Sequence, residues 1–374
     1  MRVLVAVDKF KGTLRADQVV EAVARGWKAI RPGDKLVPFP VSDGGDGFGH
    51  LLAGHLRARM FSSGTQNAAH QSIRSEWWLD KKTGTAIVES ATSIGLALLP
   101  RGKFHPFRLD TYGLGLVLRD VLKHSPKKIL IGLGGSATND GGFGMACALG
   151  WKFIDRKNKV MSSWTQLRSL KNIISPSPDF GLPEIIIASD CKNPLLGIRG
   201  ATRIYGPQKG LRGKDLESAE ANLSVLAVAF SKQFKSKHHL APGAGAAGGL
   251  GFGILSFLRG KIASGFDLFS ECSGFATSLK NSDLIISAEG SVDESSLMGK
   301  AVGEVISTAV KNKKPVVLLG GRVTLKEFSS QVVFAKGLTD LTSSERAMKN
   351  PKPYLELLSS LAALEVSSKL DSAK

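Results

Sequence analysis

Lys128-Ile-Leu-Ile-Gly-Leu-Gly-Gly-Ser-Ala-Thr-Asn-Asp-Gly-Gly142 is the stretch that decides the fold. The apolar run Lys128-Ile-Leu-Ile131 reads as a short strand buried on both faces, as strands of parallel sheets are. It runs into a turn with two glycine pairs. Phe143-Gly-Met-Ala-Cys-Ala-Leu-Gly150 follows and reads as a helix. Strand, glycine-rich turn and helix make the repeating half-unit of an α/β fold. Glycines let backbone N–H groups approach a bound anion, and the helix N-terminus adds a favourable dipole. The turn reads as a cradle for phosphate.

The same alternation extends in both directions. Strand-like runs fall at 2–7, 35–41, 128–133, 184–189, 283–288, 315–319 and 331–335. Several end in a carboxylate or glycine: Asp8, Asp43, Gly134, Asp190, Glu289, Gly320. Ligands of open α/β sheets bind at the carboxyl ends of strands, so these ends point to one shared crevice. Between about 60 and 125 the pattern changes, and Trp77 and Trp78 suggest short strands outside the main sheet. The expected architecture is α/β: a Rossmann-like, mostly parallel sheet domain plus a second α/β domain formed by insertions. The first is expected from 1–60, 126–150 and 276–374, and the second from 61–125 with 151–275. The active site is expected in the interdomain cleft. Tyr354 to Leu370 has helical periodicity and is expected to cap the fold.

Composition narrows the class. A chain of 374 residues suits two domains better than one core, and 43% hydrophobic with 22% charged residues is the range of soluble globular proteins. Runs such as Ile185-Ile-Ile-Ala188 are too short to cross a bilayer, and the chain opens on a strand rather than a signal peptide. Cys147, Cys191 and Cys272 are sparse and lack metal-ligand spacing, which favours a reducing cytoplasm. The net charge of +18 raises nucleic-acid binding, but the basic residues are scattered without interleaved aromatics. A solvated basic surface with a site for anionic substrates is the better reading.

Five further loops carry chemistry. Asp8-Lys-Phe-Lys-Gly-Thr13 follows the first strand, and its Lys11 can meet phosphate oxygens as a point charge. Ser42-Asp-Gly-Gly-Asp-Gly47 sets two carboxylates, Asp43 and Asp46, three apart among glycines, able to accept from substrate hydroxyls or to hold Mg²⁺ indirectly, with a purely structural turn as the competing reading. Ser189-Asp-Cys-Lys-Asn-Pro194 places Asp190 as a general base, with a helix cap as its competing role, and Lys209 of Tyr205-Gly-Pro-Gln-Lys-Gly210 can neutralise a transferring group. In Ala288-Glu-Gly-Ser-Val-Asp293, Glu289 and Asp293 suit Mg²⁺, which needs only one or two carboxylates beside phosphate oxygens and water. Lys300, after Gly299, lies within reach of phosphate. The run Pro242-Gly-Ala-Gly-Ala-Ala-Gly-Gly-Leu-Gly251 reads mainly as small-residue packing. There is no Walker A loop, no protein-kinase catalytic loop and no Gly-x-Gly-x-x-Gly dinucleotide fingerprint. His50, His55 and His70 read as surface or core residues rather than ligands.

In this order the loops resemble the glycerate kinase type-1 family, over essentially the whole chain. Gly134-Gly-Ser-Ala-Thr-Asn-Asp-Gly-Gly142 together with Gly206-Pro-Gln-Lys-Gly210 is the specific pair. The resemblance implies phosphorylation of D-glycerate by ATP with Mg²⁺, 2-phosphoglycerate being favoured, in a bacterial cytoplasmic enzyme. Small molecules are then the only expected partners, with no nucleic acid, no membrane, and a monomeric or homodimeric state. The expected catalytic groups are Asp190, Lys11 and Lys209, and the expected substrate-binding groups are Asp8, Asp43, Ser136 and Asn193. Nucleotide is assigned to Gly134, Gly135, Asn139, Asp140, Gly290 and Lys300, and metal to Glu289 and Asp293. The chain departs from the family's Gly-Glu-Gly-Arg-x-Asp, with Ala288 for the glycine and Ser291 for the arginine. That departure motivates an alternative, a catalytically impaired relative that binds glycerate or nucleotide as a regulator.

Overall fold

The computed structural model describes residues 1–176, 181–297 and 300–371, so Pro178 and Gly299 lie outside the described residues. The strands, in chain order, are β1 (Arg2–Val7), β2 (Lys35–Pro38), β3 (Arg59–Gln66), β4 (Ser72–Asp80), β5 (Thr85–Glu89), β6 (Lys128–Gly132), β7 (Lys152–Asp155), β8 (Leu170–Ile174), β9 (Glu184–Ala188), β10 (Lys261–Ala263), β11 (Leu284–Val292), β12 (Val316–Val323) and β13 (Val332–Gly337). The chain divides into two compact units, Met1–Asp43 with Phe266–Lys374, and Gly44–Gly265.

The first unit is built on a five-stranded sheet in the order β13-β12-β11-β1-β2, parallel throughout. Its central strands are continuous apolar runs because both faces are covered. One cover is the helix Ala16–Ile30, whose Val19, Val23 and Trp27 are fully buried. The helix Pro351–Asp371, where the sequence predicts a cap, packs against it so closely that a Cβ on Gly26 would lie 2.0 Å from the Glu356 carbonyl oxygen. Ser359 Oγ donates to the Val23 carbonyl at 2.8 Å and fastens the pair.

The second unit carries a six-stranded sheet, β10-β9-β6-β5-β4-β3. The strands β10, β9, β6 and β5 run parallel, and β4 and β3 continue antiparallel. Each unit is therefore α/β with a mostly parallel sheet, as the alternation predicts. The division differs from the expected one: residues 44–60 and 126–150 belong to the second unit, and 266–275 to the first. The reason is pairing. Strand β6, the first half of the decisive stretch, takes β5 on one edge and β9 on the other. Among the described residues no helix is long and apolar enough to cross a membrane.

Candidate functional site

In the first unit the chain leaves β1 outward to β2, and on its return runs from β11 outward the other way to β12 and β13. The order reverses between β1 and β11, and ligands of such sheets bind beyond the strand ends at that point. Asp8 follows β1 there, its N–H donating to the Ala288 carbonyl at 2.9 Å, and Glu289 stands in β11 one residue on. Burial pushes the Asp8 carboxyl up to about 6, and the Asp43 charge adds to this. Burial also pushes Glu289 up to about 7, with Asp8 and Asp293 pressing the same way and Ser296 and Lys300 opposing. Glu289 Oε1 is buried and has no hydrogen-bond partner. Asp8 thus lies within electrostatic reach of Asp43, Glu289 and Lys300, and Glu289 of Asp293 and Lys300, at the switch point.

Gly290 explains how the turn after β1 reaches them. A Cβ there would stand 3.3 Å from both Lys11 N and Phe10 Cα, so a side chain would crowd the Asp8-to-Thr13 turn and make it shift slightly. Lys11 itself is exposed on that turn. Gly290 therefore works as a packing glycine. Ser291 Oγ donates to Asp293 Oδ2 at 3.2 Å, so the residue standing where the family carries arginine engages the neighbouring carboxylate. Among the described residues no group of three His, Cys, Asp or Glu side chains could hold a metal ion alone. The donor set instead fits a cation completed by substrate oxygens: a carboxylate oxygen without a partner, in a cluster short of positive charge.

In the second unit the glycine-rich turn follows β6. At Gly134 and Gly135 a Cβ would stand 2.5 Å from Asp46 Oδ1, so only glycine lets the Asp46 loop lie against the turn. Ser90 Oγ donates to the Gly134 carbonyl at 3.3 Å. Lys209, buried at the end of the helix Ala201–Lys209, donates to Ser136 Oγ at 3.0 Å and the Thr138 carbonyl at 2.6 Å. Burial pulls its ammonium down to about 7, against the Asp140 charge. The run around Gly248 is the bed of this loop: a Cβ on Gly248 would stand 1.9 Å from the Thr138 carbonyl, and one on Gly253 2.7 Å from Gly142 Cα. That matches the small-residue packing read from the sequence.

Three assigned residues are turned inward. Asp140 is fully buried and accepts from Thr111 N and Oγ1, at 2.9 and 2.7 Å, and from Gly144 N at 2.9 Å. It takes the amides that open the helix Phe143–Ala148, where the sequence reading expects phosphate; the protein's own carboxylate fills that position. Asn139 is fully buried and donates to Thr202 Oγ1 at 3.0 Å. The Asn193 amide accepts from the Tyr205 hydroxyl at 2.8 Å and donates to the Arg199 carbonyl at 2.7 Å, bracing its own loop. Asp190 follows β9 half-buried, and its Oδ1 accepts from Gly265 N at 2.9 Å. The structure thus groups Asp8, Asp43, Glu289, Asp293 and Lys300 in one unit, and Gly134, Gly135, Ser136 and Lys209 in the other.

Glu89 is a site neighbour that the sequence pattern does not mark. Glu89 ends β5, is 5% exposed, and accepts from Gly47 N at 2.5 Å. The available signal was the rule that strands here end in carboxylates. That rule does not reach β5 while its region, with Trp77 and Trp78, reads as short strands outside the main sheet.

Comparison with known proteins follows this geometry. The model of the glycerate kinase family matches residues 3–364. A glycerate kinase of Bacillus cereus is 34% identical, with 96% of each chain covered. A glycerate 2-kinase of Escherichia coli is 33% identical, with 87% of this chain and 86% of that one covered. The crystal structure of a proposed glycerate kinase 2 from Salmonella typhimurium superposes with a TM-score of 0.85 at 26% identity, covering 99% of both chains.

Proposed function

The chain belongs to the glycerate kinase family, an enzyme family that phosphorylates glycerate, and from that premise we propose that it moves the γ-phosphoryl group of ATP, with Mg²⁺, to the 2-hydroxyl of D-glycerate. The observation that carries the nucleotide and metal part is the carboxylate cluster at the β1/β11 switch point, with its partnerless Glu289 oxygen. Phosphoryl transfer asks a protein chiefly for positioning and charge neutralisation. Glu289 and Asp293 would hold Mg²⁺, which when bound neutralises phosphate charge. Lys300 and Lys11 meet phosphate oxygens as point charges. Asp8 and Asp43 orient substrate hydroxyls, and Asp190 takes the proton of the attacking hydroxyl. Lys209 fixes Ser136, so the turn from Gly134 presents its amides in one arrangement.

The test is a coupled ADP-release assay with D-glycerate and MgATP, with phosphorus NMR of the product. Turnover that yields 2-phosphoglycerate is expected. A 3-phosphoglycerate product corrects the regiochemistry alone, whereas ligand binding without turnover returns the regulator reading that Ala288 and Ser291 motivate.

A further inference from the structure

Behind the glycine-rich turn, wholly inside the second unit, lies a cavity of about 380 Å³ that the phosphoryl-transfer residues do not use. That volume is in the range of small-molecule sites. Its apolar lining comes from Phe143 and Cys147, one turn apart on the helix Phe143–Ala148, and from Met161. Cys147 adds surface rather than reactivity, because burial pushes its thiol up to about 12.

The polar lining is specific. His70 Nε2 lies 2.9 Å from Asp110 Oδ2 and its Nδ1 lies 3.2 Å from Gln66 Oε1, so both ring nitrogens face acceptors. The Asp110 hydrogen bond raises the imidazole's affinity for a proton, and the charges of Asp110 and Asp140 add to it. The Tyr112 ring stands beside the imidazole, with centroids 6.2 Å apart. His70 holds this position from a left-handed backbone, φ 61°, in the β3–β4 turn. Such a conformation is uncommon for a residue with a side chain and concentrates at functional positions.

Among the described residues the lining contains no lysine or arginine. Asp110 is the carboxylate of the lining and the charge of buried Asp140 reaches the same imidazole from behind it, so phosphate or carboxylate ligands are disfavoured. Aromatic and thioether walls suit a flat ring; Asp110 Oδ1 accepts from Tyr112 N at 2.9 Å and Oδ2 faces His70, so a ligand N–H would take a second lone pair on these carboxylate oxygens or on Gln66 Oε1.

We propose that this cavity is a second ligand site, taking a planar heteroaromatic amine or amidine of neutral or single positive charge, distinct from the anionic substrates of the family's reaction. Its wall includes Gly144, whose N–H Asp140 also holds, so an occupant bears on the helix that closes the glycine-rich turn.

The test uses the full chain with ¹³C-methyl methionine labelling and 2-aminobenzimidazole as the probe, the Met161 signal being assigned with Met161→Leu. Saturable shifting of the Met161 methyl is expected, with the Met60 and Met348 signals unmoved. Asp110→Asn should weaken binding at least about ten-fold, or about 1.4 kcal/mol. Ser162→Trp, at the exposed rim, should abolish it while leaving the thermal midpoint in place. Benzoate at the same millimolar concentration should give no shift. The proposal is overturned by an unmoved Met161 signal, by benzoate acting as strongly as the probe, or by unchanged affinity in folded Asp110→Asn. Should that variant fail to fold, binding retained in Ser162→Trp overturns it alone. None of these readouts depends on turnover.

Discussion

Asp190 and Asp8 are carboxylates at strand ends with different surroundings. Asp190 receives a backbone N–H from Gly265, which fixes its position without filling its basicity. Replacing it with Asn should lower kcat by about 10²–10⁴-fold with little change in KM, read in the ADP-release assay. Near-normal kcat would remove it from the role of base. Asp8 instead carries strain in charge. Its folded value of about 6 lies above the ordinary 3.8, so it contributes stability at low pH that is lost as pH rises from about 4 through 6. Glu289 extends the window to about 7. Asp8→Asn should therefore raise the thermal midpoint at pH 8, by an amount on the order of 2–4 °C, and flatten the pH dependence between 4 and 7. The same variant should lose kcat/KM. A midpoint that falls at pH 8 would mean the cluster is better compensated than its repulsions imply.

At the scale of elements, glycine position separates contact from conformation. Gly248 has φ +70° and would bring a Cβ to 1.9 Å from the Thr138 carbonyl, whereas Gly197 has φ +90° with nothing within 4 Å. Gly197→Ala should cost about 1 kcal/mol of backbone strain, and Gly248→Ala about 3 kcal/mol or more, since overlap adds to strain. Chemical denaturation of both variants checks the difference, and equal losses would deny the packing role. The strands around these glycines were legible because parallel strands are nearly continuous apolar runs. Which sheet each joined was not, since periodicity says nothing of a strand's neighbours, and β6 was placed in the other unit. The site was legible to the same depth. Residue types at strand ends gave Asp8, Glu289 and Asp190. The inward turn of Asp140 and Asn139 was hidden, because it depends on Thr111 and Thr202, distant in sequence. Nor does any local pattern reveal that Lys209 is buried against Ser136.

Across the whole molecule the net charge of +18 sets a field that attracts anions, and both proposed substrates are anionic. Raising ionic strength should lower kcat/KM and leave kcat nearly unchanged, because screening weakens encounter rather than chemistry. Steady-state kinetics across a salt series at fixed free Mg²⁺ would show it, and a flat series would confine that charge to regions without bearing on encounter. The arrangement of the two units carries another consequence. Val3 pairs with Leu284, so the first sheet is completed by strands from both ends of the chain, and Gly44–Gly265 lies between. On the ribosome, β1 emerges long before β11, with only the helix Ala16–Ile30 and β2 of its neighbours to hand. At about 5–20 residues per second, it waits tens of seconds for β11. The inserted unit, contiguous in sequence, is free to fold during that delay, so the first sheet closes only after the chain of the second unit is complete.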